Sequence, residues 1–123
     1  MTLQSLEVTA AHFSEAHSPF LSPRRVSEVL GVTQSELATL IGVARNTLTA
    51  ASGARKVDQA LSPVVRILAM AAEMGGDESR AVIWFKHQPI PGWAGKTAYD
   101  LVGAGKADKV LAYLEAVRSG VYA

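Results

Sequence analysis

Arg45, Asn46, Thr47 and Thr49 fall within five positions of one another, and Arg55 and Lys56 follow shortly after. These residue types suit the recognition of a nucleic acid. An arginine fork matches guanine O6 and N7, and an asparagine amide matches adenine or a phosphate. Threonine offers a hydroxyl to phosphate and a methyl to thymine, while the two later cations suit a phosphate backbone. Gln34, further upstream, can bond a phosphate through its side chain and nearby backbone amides.

Such residues read DNA only if an element carries them into a groove. The stretch QSELATLIGVARNTLTA has the layout of a helix-turn-helix. Ala38 is the small residue where two helices cross, and Gly42 is the turn residue that tolerates positive φ. Leu37, Leu40, Ile41, Val43 and Leu48 are the packing positions. Thr33 with Glu36 three residues later makes a capping box for the first helix. The second helix then starts near Ala44 and presents its N-terminal residues to the major groove. The alternative is a helix hairpin that merely packs, with Arg45 in solvent.

The rest of the chain supports an all-α architecture of six or seven helices in two parts. Residues 1–21 show no sustained period and are broken by Pro19, so they read as an N-terminal arm, flexible until a partner orders it. Ser22 and Pro23 give the cap-plus-proline start of a helix that ends at Gly31. ARNTLTAAS reads as a short helix ended by Gly53, and residues 54–61 read as a connection. Ser62–Pro63 repeats the helix start, and apolar residues at 64, 67, 68, 71 and 74 keep the helical period. Asp77 starts a helix with Ala81, Trp84 and Phe85 on one face, and HQPIPGWAG is a loop. Thr97 caps one or two turns, and Val110, Leu111, Leu114 and Val117 form the buried stripe of the last helix. The division that follows is an arm over 1–21, a helix-turn-helix region over 22–60 and a helical domain with a tail over 61–123.

Bulk properties narrow the function. The chain has 123 residues, 49% hydrophobic and 19% charged, which is the composition of a folded domain rather than a disordered one. Its mean hydropathy of +0.17 with so little charge suggests apolar surface kept for a partner. There is no cysteine, which fits a reducing compartment. No apolar run approaches a membrane span and no leader pattern follows Met1, so a cytoplasmic protein with no membrane partner is expected. The net charge of +1 hides a gradient. Residues 1–23 carry Glu7 and Glu15 and no cation, whereas residues 24–66 carry six basic residues against Glu28, Glu36 and Asp58. The middle third is a modest footprint for a polyanion.

The C-terminal third raises a second question. Both tryptophans and all three tyrosines lie beyond residue 80, and the chain closes on Gly120, Val121, Tyr122 and Ala123. Tryptophan and tyrosine are common interface anchors, but a small bundle also needs them as core. Val121 and Tyr122 follow a helix-stopping glycine and cannot continue the preceding helix face. Either they fold back onto the bundle or they enter a partner.

This region resembles the antitoxins of the MbcA/ParS/Xre family, which pair with RES-domain toxins. The resemblance rests on Trp84–Phe85, the Pro/Gly loop 87–95, Gly95–Lys96–Thr97, Asp100–Leu101–Val102, the amphipathic helix after them, and Gly120–Val121–Tyr122. Ala98 departs from it, standing where the family usually has proline, a substitution that a first helical turn accepts. It covers about residues 24–123. It implies an Xre-type helix-turn-helix that represses the protein's own operon. It also implies a toxin that consumes NAD, by degrading it or by transferring ADP-ribose. The tail would enter the toxin's NAD entrance, with Trp93, Arg118, Gly120, Val121, Tyr122 and Ala123 as toxin-binding residues. A homodimer within a toxin–antitoxin complex is the expected assembly.

No catalytic set emerges. His12, His17 and His87 lack metal-ligand companions, and no glycine-rich phosphate loop follows a strand. No enzyme activity, metal or cofactor is therefore expected. Two other readings stay open: a stand-alone helix-turn-helix transcriptional regulator with a C-terminal dimerisation domain, and an inhibitor whose helix-turn-helix no longer binds DNA.

Overall fold

The structure, a computed structural model, describes residues 12–15 and 20–120. Seven α-helices appear among them, with no sheet beyond two isolated bridges, Ser14–Leu21 and Pro89–Thr97. The helices are α1 (Pro23–Leu30), α2 (Gln34–Ile41), α3 (Arg45–Thr49), α4 (Ala54–Gly75), α5 (Glu78–His87), α6 (Ala98–Gly103) and α7 (Ala107–Arg118). A 3₁₀ turn, Ala51–Gly53, joins α3 to α4.

The local signals in the sequence act as expected at most helix ends. Ser22 caps α1 by accepting from the Arg25 N–H, and Thr33–Glu36 and Thr97–Asp100 form complete capping boxes on α2 and α6. Gly42 ends α2 in the left-handed region at φ 76°, where a Cβ would be strained. Its N–H bonds the Thr39 carbonyl and the Val43 N–H bonds the Ala38 carbonyl, a Schellman closure that sets the angle of the helix-turn-helix. Gly31 and Val32 repeat the device after α1, on the carbonyls of Glu28 and Ser27.

Two expectations are corrected. Residues 54–61 are not a connection, and Ser62–Pro63 is not a helix start: α4 runs unbroken for 22 residues with Pro63 inside it. Pro63 lacks the N–H that would bond the Gln59 carbonyl, but burial outweighs that lost bond. Val57, Leu61, Val64 and Leu68 are all buried, at helical spacing. The helix packs against α1, α3, α5 and α7 and forms the spine of the fold.

The second correction concerns the described part of residues 1–21. Phe13 is buried in the core, its carbonyl accepts from the Ser22 N–H, and the Leu21 N–H donates to Asp58 on α4. Glu15 accepts from the Ser22 hydroxyl at 2.7 Å and pairs with Arg24 at 2.7 Å and Arg25 at 3.4 Å. These contacts, the Ser22 hydrogen bond first, hold the Glu15 carboxyl below the usual carboxylate range. The segment around Phe13 is thus fastened to the body. Phe13 stands in an aperiodic stretch that gave no signal of this.

A single apolar core spans the molecule. It includes Val26 and Leu30 of α1, Leu37 and Leu40 of α2, Leu48 of α3, Phe85 of α5, Leu101 of α6, and Val110 and Leu114 of α7. The two halves of the fold are also joined directly. Lys86 on α5 donates to the Leu30 carbonyl at the end of α1 at 2.9 Å, and α2 packs on α6.

Candidate functional site

The helix-turn-helix places its polar residues where the sequence suggested, with one difference. Arg45, Asn46 and Thr49 are exposed on α3, and Gln34 is half-exposed as the first residue of α2. Leu48 is buried and fixes α3 to the rest. Thr47 is half-buried, and Gly53 approaches it so closely that an added Cβ would lie 2.9 Å from its methyl. Its methyl is therefore occupied by the fold rather than presented outward.

Arg55 and Lys56 are exposed in the first turn of α4, separated from α3 only by Ala50 and the 3₁₀ turn. Among the described residues, no ion pair engages Arg45, Arg55 or Lys56. Arg24 and Arg25 differ. Both are held by Glu15, and Arg24 also by Glu28 at 2.8 Å, so they contribute less to the basic footprint than their number suggests. Of the cations left over in this region, Arg45, Arg55 and Lys56 belong to α3 and the start of α4, and Arg66 lies further along α4. That arrangement can track a phosphate backbone and offer a fork to a base edge.

The other group of residues surrounds α5, α6 and α7. The loop after α5 is closed by the Ile90 N–H on the Lys96 carbonyl at 2.8 Å and anchored by buried Ile90. Trp93 sits half-buried in this loop, with the Lys106 ammonium 5.2 Å from its ring centroid. That distance is within cation–π range. Ala94 beside it holds a positive φ of 53°, the one non-glycine to do so among the described residues. Ala98 is buried as the first residue of α6, so alanine serves at that position.

Arg118 is bound to Glu115 through its Nη2 at 2.6 Å, and Gly120, after the end of α7, holds φ 87°. Val121, Tyr122 and Ala123 lie outside the described residues.

Lys86 and Tyr99 are structural partners that sequence reasoning missed. Lys86 serves the Leu30 carbonyl and lowers the Glu36 carboxyl, whose main influence is the backbone N–H of Thr33. Burial, with Glu36 nearby, pushes the Tyr99 hydroxyl up. The ring of Tyr99 meets Phe85 edge-on at 5.9 Å. No spacing rule pairs residues this far apart in sequence. Among the described residues there is no metal-ligating group of three, and no helix is long and apolar enough to cross a membrane.

A helix-turn-helix with an uncommitted basic stretch is joined to a helical module with an aromatic loop. Comparison with known families makes this specific. Residues 10–65 match the antitoxin Xre-like helix-turn-helix domain, and residues 70–120 match the antitoxin Xre/MbcA/ParS C-terminal toxin-binding domain. The chain belongs to the Xre/MbcA/ParS antitoxin family and is the antitoxin of a toxin–antitoxin pair. No curated protein and no solved structure matches it.

Proposed function

We propose that this antitoxin neutralises a RES-domain toxin that consumes NAD, and that it represses its own operon through α2 and α3. The observation that carries the first part is the composition of the chain beyond α7. Gly120 leaves the helix at positive φ, and Val121–Tyr122–Ala123 adds a small apolar-aromatic segment to a toxin-binding domain. Such a segment suits a pocket built for a nucleotide, and an aromatic in a pocket is the usual hot spot. Trp93, Arg118 and Gly120 would stand with it against the toxin. The second part is supported by exposed Arg45, Asn46 and Thr49 and by the uncommitted cations Arg55 and Lys56. Gln34 and the Thr47 hydroxyl would add phosphate contacts.

In this reading residues 22–60 serve DNA and residues 61–123 serve the toxin. Operators of helix-turn-helix proteins are usually read by dimers across half-sites one turn apart, so a homodimer within the toxin–antitoxin complex is the working assembly. Its place is the cytoplasm, where both operon and NAD are found.

The experiment removes Val121 to Ala123 and follows NAD in a mixture with toxin. The truncated chain is expected to lose protection while keeping the parent's melting temperature, and Tyr122→Asp to behave like it. Undiminished protection by the truncated chain would refute the plug. A melting temperature several degrees lower would instead assign the tail to the antitoxin's own core.

A further inference from the structure

Helices α4, α5 and α7 leave an apolar groove of about 280 Å³ between them. Its walls are Ala71 and Met74 of α4, Ala81 and Trp84 of α5, and Tyr113 and Val117 of α7. Among the described residues only two large apolar side chains are exposed, Met74 at 38% and Ile83 at 61%. Both belong to this side of the molecule. Met74 lines the groove, and Ile83 lines an adjoining cleft that shares Trp84 and Arg80 with it. Apolar surface gathered on one side in this way marks an interaction site rather than scattered exposure.

Three observations choose the occupant. The groove lies wholly inside residues 70–120, the toxin-binding match. It reaches Val117, three residues before the glycine from which the tail departs, so it is continuous with the surface proposed to meet the toxin. It is also smaller than the usual small-ligand pocket of roughly 300–1,000 Å³, a size for one or two apolar side chains of a protein.

Arg80 supplies the polar edge. It lies 3.6 Å from Asp77 and 3.5 Å from the Gly75 carbonyl, both long contacts, and its side chain is 75% exposed. Arg118, by contrast, is closely held by Glu115.

We propose that this groove is the toxin's docking site. It receives one or two bulky apolar side chains of the toxin, flanked by a carboxylate that Arg80 pairs with. The inference rests on the toxin-neutralising reading above and divides it into two tasks: the groove holds the toxin, and the tail closes its active site.

The test uses the full chain and the toxin encoded beside it, with binding titrated by calorimetry and NAD consumption followed separately. Ile83→Glu and Arg80→Glu change exposed side chains, so both variants are expected to melt like the parent. Each is expected to weaken toxin binding by about tenfold or more, and Arg80→Glu also to reduce its salt dependence. If both bind the toxin within about twofold of the parent, the docking site is elsewhere, although a parent that still protects NAD leaves the wider reading standing. If they keep toxin affinity but lose self-association, the face joins two copies of this chain and the proposal is overturned. If the parent itself neither binds the toxin nor protects NAD, the wider reading has failed and the docking site falls with it.

Discussion

Replacing Gly53 by alanine sets two known effects against each other. Gly53 ends the 3₁₀ turn and leads into α4 at φ −94° and ψ −1°, angles that alanine adopts without strain. On backbone grounds alone the change gains roughly 0.4–1 kcal/mol by narrowing the unfolded ensemble. Space reverses the sign. A Cβ at this position would lie 2.6 Å from the Thr47 carbonyl oxygen and 2.9 Å from the Thr47 methyl. The methyl can turn aside, but the carbonyl belongs to the backbone of α3, so the turn must back away from the helix. Overpacking of this kind costs roughly 1–3 kcal/mol. The balance is a loss of about 1–2 kcal/mol, a fall in melting temperature of roughly 4–8 °C for a chain of this size.

The displaced element carries Arg45, Asn46 and Thr49, so operator affinity should fall with stability while toxin binding holds. Gly75→Ala is the control. It makes the same chemical change at the end of α4 with nothing within 4 Å of the new atom. It should be neutral or gain up to about 1 kcal/mol. Denaturant titrations of both variants measure the difference. A Gly53→Ala protein as stable as the parent would refute the close approach of the turn to α3.

Four further substitutions probe other parts. Lys86→Met removes the donor to the Leu30 carbonyl and should cost about 1–2 kcal/mol in a denaturant titration; a change under roughly 0.5 kcal/mol would mean the bond between α5 and α1 adds nothing. Glu15→Gln should lower the melting temperature at neutral pH and not in acid. The Glu15 carboxyl is depressed in the folded state, so its contribution is present above the usual carboxylate range and is lost as pH falls through the depressed value. An equal deficit at pH values on both sides of that range would contradict the assigned role. Arg45→Ala should cost roughly 1–3 kcal/mol in operator binding and relax one base position. Lys56→Ala should weaken all sequences alike and lower the salt slope by about one unit. Parental operator binding by both variants would mean that the wrong face has been assigned to DNA.

The parts of the fold that were legible in the sequence are those fixed by local chemistry. Thr33–Glu36, Thr97–Asp100 and Ser22–Pro23 are caps whose donors and acceptors lie within three residues of each other, and all three form. Gly42 marks the turn because few other residues tolerate its φ of 76°. The misread stretch is 54–63, where a local rule met a tertiary one. Ser62–Pro63 has the signature of a helix start, yet Val57 and Leu61 before it are buried in the same stripe as Val64 and Leu68 after it. Burial along the spine outweighs one missing N–H. Phe13 and Lys86 were illegible for a different reason: each acts on residues far along the chain, and periodicity reports only near neighbours. The exposure of Arg45, Asn46 and Thr49 follows from their polar types, but the close approach of Gly53 to Thr47 left no signal in the sequence.

The continuity of α4 bears on how two tasks share so short a chain. Arg55 and Lys56 occupy its first turn, and Ala71 and Met74, walls of the apolar groove, occupy its last turns. At 1.5 Å per residue, the stretch from Arg55 to Ala71 separates the two by about 24 Å along one helix. A toxin seated on the groove therefore need not cover the cations near α3. The same helix packs against α1 and α3 on one side of the task and α5 and α7 on the other, with a common apolar core throughout. A core that is shared melts as one unit rather than as two. The junction is reinforced off the helix as well, where Lys86 of α5 meets the end of α1 and α6 packs on α2. The surfaces proposed for DNA and for the toxin are thus separated in space but not in stability. A substitution deep in either half, such as Phe85→Ala with a cost of roughly 3–5 kcal/mol, would take away both functions together, whereas changes at Arg45 or at Ile83 would remove one and leave the other.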